Sequence, residues 1–195
     1  KLTSRLKKAG QYRLAARHRL RSTGTTFVGI TGTSGKTTTT SLTAAILREA
    51  GPCQQTHSYN ALTDVVRTVR SVGPGDRYCV AELAAAGPGT LDRRCELFRP
   101  DIAVLTVIGR EHYSAYKSHD LIATEKAKVV LAPPADGIAV LNADDPLVRT
   151  IGARTTRRVI WFGRDPTATL RLVEARSCWP EPLTLVVEHA GERHT

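Results

Sequence analysis

The residues with the clearest chemical content are Ile30-Thr31-Gly32-Thr33-Ser34-Gly35-Lys36-Thr37-Thr38. They lie between a β-branched run, Thr26–Thr31, and a helical pattern that begins at Thr37. Two glycines let the backbone turn its N–H groups inward around phosphate oxygens, and the helix start adds a favourable dipole. Lys36 has the length and charge to reach the β- and γ-phosphates, and the Thr37 hydroxyl suits Mg²⁺. Thr31, Gly32, Thr33, Ser34, Gly35, Lys36, Thr37 and Thr38 are therefore the expected phosphate cradle for ATP. A strict Walker pattern has glycine or alanine where Ile30 stands, so the loop is a GTxGKT variant. Two further residues stand out. Glu82 is an acid at the end of an apolar strand pattern, where a carboxylate is out of place unless it is used. Asn142 ends another apolar strand pattern, Ile138–Asn142.

The elements needed to position these groups follow from periodicity. Strands are expected over Thr26–Thr31, Tyr78–Leu83, Asp101–Ile108, Ile138–Asn142 and Val159–Phe162. The Asp101–Ile108 run is continuously apolar, as in a strand buried on both faces. Helices are expected over Thr37–Ala50, Leu62–Val72, Thr90–Phe98, His119–Leu131 and Pro146–Ile151, with Gly51-Pro52 and Pro133-Pro134 as stops. Alternating strands and helices predict an α/β fold, a mostly parallel sheet with helices on both faces and ligands at the carboxyl ends of its strands. From about Thr167 the pattern changes to period-two alternation, through Leu170, Leu172, Leu183, Leu185 and Val187. That predicts a small antiparallel β extension with a Pro-containing connection.

The chain has 195 residues and a formal charge of +10, and the position of that charge matters. Lys1, Arg5, Lys7, Lys8, Arg13, Arg17, Arg19 and Arg21 carry eight positive charges with no acid among them, and without them the charge is only +2. The excess thus belongs to an N-terminal segment, residues 1–22, and not to a domain face. Leu2, Leu6, Leu14 and Leu20 suit a connecting helix there, interrupted near Gly10. The same segment could receive a phosphate-rich substrate or an RNA, although nucleic acid is the less favoured partner. No apolar run reaches the roughly 20 residues of a membrane span, which favours a cytoplasmic protein. Cys53, Cys79, Cys95 and Cys178 form no CxxC pair; Cys79 and Cys95 sit in apolar stretches and are expected as buried free thiols.

The phosphate loop is accompanied by other recognisable stretches. Ala81-Glu82-Leu83 is followed by Pro88-Gly89, and Pro100–Thr106 leads into Ile108-Gly109-Arg110-Glu111-His112. Glu125-Lys126-Ala127-Lys128 is followed by Pro134-Ala135-Asp136-Gly137 and Leu141-Asn142-Ala143-Asp144-Asp145-Pro146. In order and spacing, from about Arg17 to Gly163, the chain resembles the central ATPase domain of the Mur ligase family, and most resembles its MurF-type branch. Folylpolyglutamate and cyanophycin synthetases are more distant members.

The resemblance implies an ATP-dependent ligase that joins a carboxylate to an amine through an acyl phosphate. It implies two Mg²⁺ sites, the first held by Thr37 and Glu82 and the second supported by His112 and Lys126. Lys126 corresponds to the lysine that the family carbamylates, and the fourteen-residue step from His112 fits. On composition alone Glu125–Lys128 is a solvated helix face. Lys36, His112 and Lys126 are thus the expected catalytic residues, with Asn142 at the nucleotide. The chain departs from the family at Val107, where asparagine is usual, at the inert Ala84-Ala85-Ala86-Gly87 stretch, at Thr90, and at the reduced Ser58-Tyr59-Asn60 cluster. These are substrate-side positions, so an altered acceptor is implied. The family's N- and C-terminal domains are expected to lie outside residues 23–195, in cis or in trans. Another P-loop kinase or NTPase, or a non-catalytic nucleotide-binding scaffold, are the alternatives.

Overall fold

The computed structural model describes residues 2–56, 61–109, 116 and 118–195, with side chains from Lys7 onward. Its elements are α1 (Leu2–Arg21), β1 (Thr26–Thr31), α2 (Lys36–Ala50), β2 (Cys53–Gln55), α3 (Leu62–Ser71), β3 (Tyr78–Glu82), α4 (Thr90–Phe98) and β4 (Ile102–Leu105). Then follow α5 (His119–Leu131), β5 (Ile138–Asn142), α6 (Pro146–Gly152), β6 (Arg158–Gly163), β7 (Leu170–Arg176), β8 (Thr184–His189) and β9 (Glu192–His194).

Among the described residues one sheet runs β2-β3-β1-β4-β5-β6-β7-β8-β9. The pairs from β2 to β7 are parallel, and β7–β8 and β8–β9 are antiparallel. This is the expected fold class, with the antiparallel extension where the period-two pattern begins. Parallel strands need crossovers, and every crossover from β1 to β6 brings the chain back so that all six strands end at one rim. Thr31, Glu82 and Asn142, the last residues of β1, β3 and β5, therefore share that rim.

The main core lies on the face covered by α1, α3, α4, α5 and α6, and a smaller cluster of Val28, Ile30, Ala44, Val80 and Val104 lies under α2. Phe27 and Phe98, both fully buried, meet edge to face at 5.2 Å between centroids. Arg19 lies over the Phe27 ring at 3.7 Å, and it donates to the carbonyls of Phe98 (2.7 Å) and Arg99 (2.6 Å) and to Asp101. Asp101 in turn accepts from the Phe27 amide at 2.8 Å. One half-buried guanidinium thus ties α1 to the starts of β1 and β4.

Three local expectations change. α1 passes through Gly10 without a break, because about 1 kcal/mol of helix propensity is small beside the packing of Tyr12, Ala15 and Ala16 on the core. β2 has a short polar sequence, Cys53-Gln54-Gln55, which gave no apolar signal; it forms because an open sheet edge is beside it. The Asp101–Ile108 run supplies a strand only over Ile102–Leu105. Past Leu105 the neighbouring strand has ended, and the chain bonds to the phosphate loop instead. The cysteines are free: Cys79 is buried and Cys95 half-buried, and burial pushes the Cys95 thiol up to about 12. Phe27→Ala should cost about 3–5 kcal/mol in urea unfolding, because it opens a cavity and removes the surface under Arg19.

Candidate functional site

The loop after β1 is shaped by two glycines. Gly32 has φ 148°, and a Cβ there would stand 1.9 Å from Thr106 Oγ1. Gly35, at φ 80°, is the residue before α2, and no side chain caps the helix start. First-turn amides without a side-chain acceptor are what an anion needs. The loop is held from the β4 side. Thr33 N donates to Val107 O at 2.7 Å, Gly109 N donates to Thr33 Oγ1 at 2.8 Å, and Thr106 Oγ1 donates to Ser34 O at 2.7 Å. The segment Thr106–Gly109 is itself fixed by Asp145, whose Oδ2 accepts from Ile108 N at 2.7 Å. The other oxygen of Asp145 caps α6 through Leu147 N and Val148 N.

Lys36 is buried at the start of α2, and its Nζ donates to Thr33 O at 2.9 Å. That contact folds the side chain over the loop, within the space that phosphates would share. The Thr37 hydroxyl donates to Glu82 Oε2 at 2.7 Å. Glu82 is 7 % exposed, and its Oε1 has no hydrogen-bond partner among the described residues. A buried carboxylate oxygen left over beside a hydroxyl is a costly arrangement unless a cation completes it. Both donors are hard oxygens, so the pair fits Mg²⁺, which takes one or two protein oxygens and draws the remainder from phosphate and water. Among the described residues no group of three His, Cys, Asp or Glu is placed for a metal.

Lys126 is 1 % exposed, on α5, and its Nζ donates to Gly32 O at 2.7 Å. Composition suggested a solvated helix face; Glu125, Lys126 and Ala127 are instead buried, and Lys126 reaches the loop. Glu125 accepts from Gly89 N (2.9 Å) and Leu91 N (2.8 Å) at the start of α4 and pairs with Lys128 at 2.8 Å, fixing α5 beside α4. His112 and Asn60 lie outside the described residues. Asn142 lines a cavity of about 640 Å³ with Gly35, Thr39, Val107, Phe162 and Leu170. Its walls are mostly aliphatic, and it opens beside the phosphate loop. Its Oδ1 accepts from Asp144 N at 2.9 Å.

Thr31, Gly32, Thr33, Ser34, Gly35, Lys36, Thr37, Thr38, Glu82 and Lys126 thus fall around one loop, with Asn142 across the cavity mouth. Three supporting residues had no assigned role in the sequence: Thr106, Glu125 and Asp145. Asp145 carried a readable signal, an aspartate directly before a proline at a helix start. Its bond to Ile108 N could not be read, since it joins positions 37 residues apart. Asp145→Ala should lower unfolding free energy by about 2–3 kcal/mol, because it strands a buried amide and removes a cap together. Lys36→Ala should weaken ATP binding at least tenfold in a fluorescence titration, the scale of a lost charge-assisted contact.

Comparison with known proteins agrees with this geometry. The Mur ligase middle domain profile matches residues 30–178. A UDP-N-acetylmuramoyl-tripeptide–D-alanyl-D-alanine ligase of Mycobacterium bovis is 34% identical over 163 residues, 83% of this chain and 30% of that relative. A UDP-N-acetylmuramate–L-alanine ligase of Thiobacillus denitrificans is 37% identical over 151 residues, 76% of this chain and 31% of that relative. The chain therefore spans under a third of the length of these relatives. Among solved structures, MurF from Acinetobacter baumannii superposes with a TM-score of 0.86 at 22% identity, over 94% of this chain and 40% of that one. MurF from Thermotoga maritima in complex with ADP gives 0.84 at 26% identity, over 95% and 43%. A profile match over most of the chain, on a site of this construction, places the protein in the Mur ligase family, through that family's middle domain.

Proposed function

We propose that this chain is the ATP-binding middle domain of a ligase that joins a carboxylate to an amine, with ATP as the driving nucleotide. The observation that carries this reading is the Thr37–Glu82 pair with its uncommitted carboxylate oxygen, set at the mouth of a phosphate loop that Lys126 also reaches. The relatives named for ligating amino acids to UDP-muramoyl groups support a peptide-bearing carboxylate and an amino acid or dipeptide as the two substrates. Residues 23–195 would form the ATP-binding unit, with 1–22 as the connecting helix and the family's other domains in cis or in trans. A cytoplasmic location fits nucleotide chemistry of this kind.

Within that reading the chain's own groups divide the work. The amides of Ser34–Lys36 and the start of α2 would bind the β- and γ-phosphates, and Lys36 would leave Thr33 O to neutralise their oxygens. Thr37 and Glu82 would hold one Mg²⁺. When bound, that ion supplies charge neutralisation across the transferring phosphoryl group. The aliphatic cavity beside Asn142 would take the adenine, with Asn142 as the polar group that orients it. The acyl phosphate is a charge-rich species, so stabilisation by fixed dipoles and cations is the main chemical task.

Lys126 has the second role. As an ammonium it donates to Gly32 O; carbamylated, it would be an anion able to support a second Mg²⁺ together with His112. Lys126→Ala is expected to lower ADP release by at least about a hundredfold, with partial recovery on adding acetate or another short carboxylate. No recovery, with an unmodified Lys126 in the accurate mass of the intact protein, sinks the carbamate. The ligase reading is checked by ADP release that requires a carboxylate and an amine together. Equal release with neither present would favour a simple NTPase.

A further inference from the structure

The basic N-terminal segment is not used by the site described above, and its placement points to a second one. α1, α3 and α4 run in the same direction, antiparallel to the strands. Their C-terminal ends meet where His18 contacts Val72 O and Arg19 reaches Phe98 and Asp101. Their N-terminal halves must then stand at the rim that carries the phosphate loop and Glu82. There the three helices enclose a cleft of about 580 Å³, lined by Lys8, Gln11 and Tyr12 of α1, Leu62 and Val66 of α3, and Arg93 of α4. It lies on the β2–β3 side of the sheet, away from the cavity beside Asn142 on the β5–β6 side.

The cleft has the composition of an oxyanion pocket. Two exposed cations, Lys8 and Arg93, face it over an aliphatic floor, and no acid is among its described lining residues. The acids at its edge are already partnered, by the lining residues Tyr12 and Ala61 and by Arg67. Glu96 accepts from the Tyr12 hydroxyl at 3.1 Å, and Asp64 takes Ala61 N at 3.3 Å and Arg67 at 3.4 Å. Arg93 is also held in place: its guanidinium lies 5.0 Å from the centroid of the Tyr12 ring, and Tyr12 donates back to Arg93 O at 3.1 Å. A stacked guanidinium loses less freedom on binding a carboxylate or phosphate than a mobile one.

We propose that this cleft between α1, α3 and α4 binds an oxyanion of the carboxylate substrate remote from the reacting carboxyl, with Lys8 and Arg93 as its charged contacts and Leu62 and Val66 against the stem that carries it. The occupant's identity as part of that substrate rests on the ligase reading; the site itself does not. The oxyanion is either a peptide carboxylate or a phosphate of a nucleotide-linked substrate. A group bound there anchors the substrate at one end, while the Glu82 side of the rim receives the other. Binding energy gathered far from the reaction then serves to position the carboxyl.

The test is calorimetric titration of the full-length protein, with its phosphate loop saturated by ADP and Mg²⁺, using two probes. One is N-acetyl-γ-glutamyl-lysine and the other is UDP-N-acetylglucosamine. In the Lys8→Gln, Arg93→Gln double variant, the affinity of one probe should fall about tenfold or more, with ADP affinity and melting temperature unchanged. Loss for the peptide assigns the cleft to a carboxylate, and loss for the sugar nucleotide assigns it to a phosphate. Equal affinities in variant and parent protein overturn the proposal, as does the absence of binding by both probes to the parent. Failure of the ligase reading would appear separately, as no ADP release with any carboxylate and amine while the titration difference remains.

Discussion

A loop that presents its amides to a ligand cannot use those amides to hold itself together. That constraint governs this domain. The Gly32–Gly35 turn leaves the start of α2 without a side-chain cap, so its shape is imposed by Thr106, Val107 and Gly109 from the end of β4. Those residues are in turn fixed by Asp145 at the start of α6. The support is three elements deep, and each layer exists because the one inside it must keep polar groups unpaired. Where Asp101–Ile108 stops being a strand is the visible result: Thr106 and Val107 bond to Ser34 and Thr33 of the loop.

The same logic explains two buried charged residues on α5. Burial of a lysine or glutamate is expensive unless each is hydrogen-bonded. Glu125 meets that condition at the amides of Gly89 and Leu91, and Lys126 at the carbonyl of Gly32. Adjacent in sequence, they point to different places and join α5 both to α4 and to the phosphate loop. The Thr37–Glu82 contact is different in kind, since among the described residues one carboxylate oxygen remains buried and unmatched. That imbalance is the strongest local sign of a ligand in the site, and it stands without reference to any relative.

The opposite end of the sheet is built for rigidity. Arg19 over Phe27, with Asp101 shared between Arg19 and the Phe27 amide, fastens α1 at the point where the chain enters β1. The helix can therefore extend its basic N-terminal half to the functional rim without being a loose tail. Helix propensity alone would have ended it at Gly10, and the packed stripe of Tyr12, Ala15 and Ala16 kept it whole. Its charge is accordingly part of the domain's surface, beside α3 and α4.

Much of this was legible in the sequence, because local patterns report local physics. The phosphate loop, the strand that leads into it, the helix that leaves it and the change to antiparallel pairing near Leu170 were all readable from glycine positions and apolar periods. So was the peculiarity of Glu82, an acid on an apolar strand. β2 was not readable, since a three-residue polar strand is made by the edge it joins and has no pattern of its own. Nor was the burial of Lys126, which a helix sequence of alternating charge and alanine describes as a solvent face. The sequence by itself determined which residue types could hold a phosphate and a hard cation, and in which order the elements carry them. The tertiary structure alone decided that Thr37 meets Glu82, that Lys126 meets Gly32, and that Asp145 meets Ile108. Those pairs lie 45, 94 and 37 residues apart, and only the parallel crossovers that return β1 to β6 to one rim bring them within hydrogen-bond reach.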